Sequence, residues 1–213
     1  MTSLASLLLT GVVLTDFAIL ATSRMSTCIR AIGVQGLILA TLPLALHPGW
    51  SLHTLGLAAG TAVVKAVALP WFLAWAIREV NVRREVEPLV GYVTSVLVGA
   101  VAVAVSFVVA PKLPLPDSHG TLLVAVALSN VLTGLIVLTS RLKAITQVVG
   151  YLMLENGIFV FGLTQTQRVP FLLELGVLLD VFVGVFVMGI VVFHINREFD
   201  SLGSARFDEG GRR

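Results

Sequence analysis

The sequence predicts an all-α integral membrane protein with seven transmembrane helices. The first observation is its composition, in which 57% of the 213 residues are hydrophobic and 12% are charged, with a mean hydropathy of +0.98. A soluble domain carries about 25% charged residues, so this chain has too few polar side chains to coat a water-soluble body. Its high hydropathy also excludes disorder. The second observation is a series of apolar runs, and the third is a charge asymmetry between the segments that join them.

Seven apolar runs are candidates to cross a bilayer core, which needs roughly 20 residues per helix. The second run is short, and the third is long enough to tilt. Turn-forming residues separate them at His47-Pro48-Gly49 and in the proline-rich segment that ends at Asp117. The first run has neither a basic start nor a cleavage-site pattern, so we expect it to be a retained span. The runs cover approximately residues 2–23, 31–46, 52–77, 89–110, 121–140, 148–166 and 171–194.

The basic residues fall unequally on the two sides of the membrane when the loops are counted alternately. One side receives 11 Lys and Arg residues, and the other receives only Lys112 and Arg168. The positive-inside rule then predicts an N-terminus outside and a C-terminus in the cytoplasm. We expect a membrane domain over residues 1–195 and a flexible cytoplasmic tail over 196–213. The 11 residues are Arg24, Arg30, Arg78, Arg83, Arg84, Arg141, Lys143, Arg197, Arg206, Arg212 and Arg213.

No motif for catalysis, metal binding or cofactor binding is found in the sequence. The single cysteine, Cys28, excludes an internal disulfide and any CxxC site. Three of the histidines, His47, His53 and His119, fall in or beside outer loops, and we expect no metal site there. The net charge of +2 without a basic stripe indicates no nucleic-acid partner. We therefore predict a non-catalytic chain without a cofactor.

Three ionisable residues, Lys65, Glu155 and Asp180, fall near the middle of predicted spans. Each costs roughly 2.5–3.5 kcal/mol at that depth, so each is a functional candidate by default. Lys65 is explained either by a structural ion pair with Glu155 or Asp180 or by a role in proton relay, and a pair can also relay. For the two carboxyl groups, a neutral hydrogen-bonded state competes with proton exchange, and we favour exchange.

Two further carboxylates have simpler interpretations. Asp16 falls near the cytoplasmic end of its span, where we expect it to snorkel or to pair with Arg24 or Arg30. Glu174 falls near the outer end of the last span, where we expect a solvated residue at the mouth.

The uncharged polar residues within spans are expected to hold helices together. Asn130 and Gln35 are typical of interhelical hydrogen bonds, and Asn156 is a further polar candidate beside Glu155. The spacing of Gly56 and Gly60 predicts close helix packing in the third span.

The segment Gly150-Tyr151-Leu152-Met153-Leu154-Glu155-Asn156-Gly157 resembles a segment of the hydrogenase-4 component E family. This family comprises membrane subunits of group 4 nickel–iron hydrogenases and formate-hydrogenlyase-like complexes. Two further elements match: Lys65 is followed by Leu69-Pro70, and Leu175-Gly176 leads to Asp180. Length and span number also fit, so the resemblance covers nearly the whole chain.

The resemblance implies a function in a redox-driven proton-translocating complex. Component E is similar over its last three spans, here about 121–195, to the small K-type subunit of respiratory complex I. That subunit carries one glutamate in each of two neighbouring spans, which implies a proton path through Glu155 and Asp180. An aspartate at the second position shortens the reach of that carboxyl, and the role of Lys65 is not carried over.

The implied partners are antiporter-like membrane subunits in the bacterial plasma membrane. Nickel–iron and iron–sulfur chemistry would belong to soluble hydrogenase-like subunits. We expect a membrane subunit that supplies Glu155, Asp180 and Lys65 to proton translocation. A free-standing secondary transporter and a purely structural assembly subunit remain as alternatives.

Overall fold

The structure is a computed structural model that describes residues 3–46, 52–80, 89–113, 120–164 and 182–189. The secondary-structure elements of these ranges are helices. Six helical runs within them are long and apolar enough to cross a membrane. They are Ser3–Leu20, Met25–Leu46, Ala58–Arg78, Tyr92–Lys112, Gly120–Ser140 and Ala144–Thr164.

The helices follow the predicted order, with some changes at their ends. Helix α1 is Ser3–Leu20, α2 is Met25–Leu46, α5 is Tyr92–Val109, α6 is Gly120–Ser140 and α7 is Ala144–Thr164. The third span consists of α3 (Leu52–Thr61), a π-helical segment (Ala62–Ala68) and α4 (Leu69–Val80).

The largest boundary differences lie at the starts of α2 and α7. Helix α2 begins at Met25 rather than at 31, and α7 begins at Ala144 rather than at 148. Hydropathy marks where a chain becomes apolar, whereas backbone hydrogen bonds carry a helix on through polar residues such as Arg30. The seventh predicted span is described only over 182–189, which is helical. The predicted tail, 196–213, lies outside the described residues.

Helices α6 and α7 pack with their backbones in close contact, because glycines face each other across the interface. A Cβ added to Gly134 would lie 2.5 Å from the Leu154 amide nitrogen, and one added to Gly150 would lie 2.5 Å from that of Leu138. At Gly157 the same atom would lie 2.8 Å from the Ala127 carbonyl oxygen. Small residues that admit a neighbouring backbone are the usual basis of tight packing in membranes.

Helix α2 receives the π-helical segment in the same way. A Cβ on Gly36 would lie 2.6 Å from the Lys65 carbonyl oxygen, and one on Gly33 would lie 3.3 Å from the Pro70 ring. Gly56 and Gly60, by contrast, have no atom within 4 Å of such a Cβ in the described residues. The described residues thus make no close contact at Gly56 and Gly60, and the close approach that they do show in this span occurs about one turn later, at Lys65.

Several helix ends meet around Arg141, which the charge count treated as an ordinary loop residue. Its side chain is only 2% exposed, and its Nη2 donates a hydrogen bond of 3.1 Å to the carbonyl oxygen of Leu20. The guanidinium carbon lies 4.5 Å from the centre of the Tyr92 ring. The end of α1, the start of α5 and the turn between α6 and α7 therefore share one end of the bundle, as alternating spans require.

Candidate functional site

The site centres on a buried ion pair between Lys65 and Glu155. Lys65 Nζ donates to Glu155 Oε2, and the two side chains are 5% and 0% exposed. The ammonium group also lies 5.7 Å from the centre of the Phe159 ring. The predicted ion pair of Lys65 with a membrane carboxylate is thus confirmed for Glu155.

The π-helical geometry of Ala62–Ala68 positions Lys65. Pro70 has no backbone N–H, and the ring of a proline clashes with the carbonyl four residues earlier, here that of Ala66. The chain bypasses this carbonyl with a wider turn, in which the Leu69 N–H bonds to the Val64 oxygen, five residues back. The bare backbone of Gly36 then lets the widened turn lie directly against α2. Short π-helical segments are frequent at functional sites.

On α7, Glu155 and its neighbour Asn156 both point into the bundle. Consecutive residues of a helix project about 100° apart, so burying both requires protein on a broad face of α7. The contacts of α7 with α2 and α6 supply that cover. Lys65 Nζ donates to Asn156 Oδ1 at 3.2 Å as well as to Glu155, so one ammonium group forms hydrogen bonds with both residues.

A chain of side-chain hydrogen bonds continues from Asn156 to α1. Asn156 Nδ2 donates to Gln35 Oε1 at 2.9 Å. Gln35 Nε2 in turn donates to Asp16 Oδ1 at 2.9 Å, and it lies 3.3 Å from Asn130 Oδ1 and 3.2 Å from Thr15 Oγ1. Four α-helices and the π-helical segment thus contribute polar side chains to one connected network. We call its buried members, Asp16, Gln35, Lys65, Asn130, Glu155 and Asn156, the polar network.

The polar network lies near the middle of the spans. Gln35 is the eleventh of the 22 residues of α2, and Glu155 is the twelfth of the 21 residues of α7. Asn130 is the eleventh of the 21 residues of α6. Polar groups at this depth are costly unless they bond to one another, which explains why the structure gathers them.

Asp16 does not adopt the predicted arrangement. Its side chain is 0% exposed and bonds to Gln35, so it neither snorkels nor pairs with Arg24 or Arg30. Its helical spacing from the buried residues Ala5, Leu9 and Val12 puts it on the buried face of α1. Because α1 is apolar on all sides, its sequence does not indicate which face is buried.

The predicted role of Asn130 and Gln35 as interhelical hydrogen-bonding residues is confirmed by their mutual contact. Asp180 and Glu174 lie outside the described residues, as do His47 and His119. Within the residues searched, no group of three His, Cys, Asp or Glu side chains is placed to hold a metal ion. What the arrangement offers chemically is an amine and a carboxylate in direct contact, between which a proton can be exchanged.

Two sets of known proteins are similar in sequence to this chain. It is 34% identical over 203 residues to an uncharacterized protein of Mycobacterium tuberculosis. This match covers 93% of this chain and 90% of that protein. It is also 30% identical over 146 residues to hydrogenase-4 component E of Escherichia coli K12, and equally to that of Shigella flexneri. These matches cover 68% of this chain and 67% of the relatives. No protein-family model and no solved structure matches the chain.

Proposed function

Because the chain belongs to the hydrogenase-4 component E family, we propose that it is a non-catalytic membrane subunit whose Lys65–Glu155 pair forms part of a proton path. Family membership supports a place in a multi-subunit hydrogenase-like complex. The proton path is a further step, and it rests on the chemistry of the polar network.

The observation that carries the proposal is a buried amine–carboxylate pair at mid-span depth. Replacing a buried ion pair by apolar side chains is often neutral or even stabilising, so stability alone gives little reason for such a pair. Ionisable groups inside the membrane instead mark proton and ion pathways. The direct contact between Lys65 and Glu155 gives the pair a charged and a neutral form that differ only in the position of one proton.

The resemblance in the last three spans supports a second carboxyl in this path. Asp180 would take the position of the second glutamate of the K-type subunit and would receive or deliver the proton that Glu155 exchanges. Antiporter-like membrane subunits would continue the path, and soluble hydrogenase-like subunits would carry the redox chemistry. The assembly would reside in the bacterial plasma membrane.

The test removes the charges of the pair in the assembled complex. Glu155→Gln keeps a hydrogen-bond acceptor for Lys65, and the double variant Lys65→Met with Glu155→Gln removes both charges, which a buried site tolerates better than the loss of one. We expect the double variant to assemble at the wild-type level, and proton translocation in sealed vesicles to fall about 100-fold in both variants, a typical contribution of one proton-transferring group.

A matched control is Lys143→Met, which removes a lysine from the turn between α6 and α7 and should leave proton translocation unchanged. Loss of assembly with normal translocation in whatever complex still forms would favour a structural subunit instead. Solute uptake by the purified chain alone in liposomes would favour a secondary transporter.

A further inference from the structure

Some of the buried oxygens around Asp16 and Gln35 lack a hydrogen-bond donor among the described residues. Gln35 Nε2 has two hydrogens but three oxygen neighbours, on Thr15, Asp16 and Asn130. The Thr15 hydroxyl donates its own hydrogen to the Val12 carbonyl oxygen at 2.7 Å. Among the described residues, the second carboxylate oxygen of Asp16, Oδ2, has no hydrogen-bond partner. The Asn130 amide nitrogen, a donor, also has no partner among these residues and does not bond to that oxygen. Asp16 thus holds a buried carboxylate oxygen that no donor stabilises, which is costly in the charged form and less so once the carboxyl is protonated.

The bonds that join Asp16 to Lys65 all run in one direction. Lys65 donates to Asn156, Asn156 donates to Gln35, and Gln35 donates to Asp16. If the Gln35 amide were rotated by about 180°, its oxygen would face the Asp16 carboxylate and its nitrogen would face the Asn156 nitrogen. Neither of these two contacts could then be a hydrogen bond. The ammonium group at one end and the carboxylate at the other therefore hold both amides in this orientation, and each bond polarises the next.

We propose that Asp16 is a second proton-binding carboxyl of the polar network, and that its proton occupancy follows the charge state of the Lys65–Glu155 pair through Asn156 and Gln35. This inference rests on the proposed function, since it adds a coupled site to the same path. Asp16 gains one proton on a carboxylate oxygen and returns it as the carboxylate is restored. Protonation removes the charge from a carboxylate whose Oδ2 accepts no hydrogen bond from the described residues.

The geometry favours a proton over a metal cation at this place. The three oxygens converge on a point that the Gln35 amide nitrogen already fills, at 2.9–3.3 Å from each. Asp16 bonds to Gln35. The other two oxygen neighbours of the Gln35 nitrogen, on Thr15 of α1 and Asn130 of α6, belong to neutral side chains. In the described ranges no Lys or Arg pairs with Asp16, and the nearest cation along the network is Lys65 itself.

The experiment observes Asp16 directly in the intact subunit. The chain has five aspartates, so carbon-13 labelling of their side-chain carboxyls, with the chain in lipid nanodiscs, gives few signals. The signal absent from Asp16→Asn identifies Asp16. We expect this signal to titrate with pH, and its midpoint to change by about one pH unit in Glu155→Gln, the mark of coupled sites.

Two variants of similar shape test the connecting amides. Gln35→Leu breaks the chain between Asn156 and Asp16, so Glu155→Gln should no longer change the Asp16 titration in that background. Gln147→Leu removes an amide that, within the described ranges, bonds to the Arg141 backbone oxygen and lies outside the polar network, so it should leave the coupling intact.

An Asp16 signal that stays ionised at every pH, or that titrates identically with and without Glu155, would overturn the inference. A signal that follows sodium concentration at constant pH would assign the site to a metal cation and overturn it as well. Proton translocation measured on the same variants separates the two proposals. If Glu155→Gln stops translocation while Asp16 shows no coupling, only the inference fails; if Asp16 is coupled while translocation is normal, only the proposed proton path fails.

Discussion

Glycine residues determine how closely α6 and α7 approach, and therefore where Glu155 and Asn156 lie. Gly134, Gly150 and Gly157 each face backbone atoms of the opposite helix at distances that admit no side chain. Asn130 on α6 and Asn156 on α7 both contact Gln35, so a wider spacing would separate them. The position of the polar network therefore depends on these three glycines, although they have no side chain and are not part of the network.

We expect Gly134→Ala to destabilise the protein by about 1–3 kcal/mol, because its methyl group would overlap the backbone of α7. Reversible unfolding in detergent micelles measures this free energy. Gly60→Ala is the matched control: its methyl group meets no atom of the described residues within 4 Å, so it should be neutral or stabilising by about 0.5–1 kcal/mol, the usual preference for Ala in a helix. Equal effects of the two substitutions would contradict the backbone contact.

The sequence allowed some of these residues to be predicted and not others. Lys65 and Glu155 can be predicted because a charge within an apolar run is conspicuous, and their ion pair is one of the two interpretations that the sequence supports. The partners of Asp16 depend on which face of α1 meets α2, a tertiary feature that hydropathy does not encode. Arg141 was misjudged for the same reason, because its burial follows from the ends of α1 and α5 that close over it.

At the scale of elements, the π-helical segment is the feature that the sequence predicts least well. Pro70 marks a disturbance in the third span, but a proline also permits a simple kink. The choice of a wider turn depends on room in the neighbouring helix, and Gly36 on α2 provides that room. Helix existence was predictable from apolar runs, whereas this local geometry depends on a residue about thirty positions away.

We expect Pro70→Ala to weaken the contact between Lys65 and Glu155. An alanine restores the N–H that can bond to the Ala66 oxygen, so the segment can return to α-helical geometry, and a change of one residue in register rotates a helix by about 100°. The coupling energy between Lys65 and Glu155, obtained from a double-mutant cycle in unfolding, should fall towards zero from roughly 0.5–3 kcal/mol.

Pro43→Ala serves as the control for this measurement, because Pro43 also lies inside a helix, α2, but outside the third span. Its replacement should leave the coupling energy unchanged. A coupling energy that survives Pro70→Ala would show that Lys65 reaches Glu155 without help from the widened turn.

At the scale of the whole molecule, the structure brings one set of helix ends together, and the charge pattern predicts which side they face. The Thr146 hydroxyl lies 3.3 Å from the sulfur of Met25, which joins the start of α7 to the start of α2. Arg24 and Lys143 belong to the turns at this same end. The positive-inside rule predicts that this end faces the cytoplasm.

A reporter fused after Arg213 should therefore report the cytoplasm, and one inserted between Pro111 and His119 should report the outside. Alkaline phosphatase and green fluorescent protein fusions give opposite readings for the two sides, so each position has its own internal control. Finding both positions on the same side would contradict the seven-span arrangement.

The sequence separation of the ion pair also has a consequence for how the protein is made. Glu155 follows Lys65 by 90 residues. At a synthesis rate of about 5–20 residues per second, the ribosome completes the lysine roughly 5–18 s before it reaches the glutamate. Throughout that interval the third span carries an uncompensated amine whose insertion costs roughly 2.5–3.5 kcal/mol. We expect the third span to stay beside the translocon or against α2 until α7 is made, so that the synthesis of Glu155 completes the insertion of Lys65.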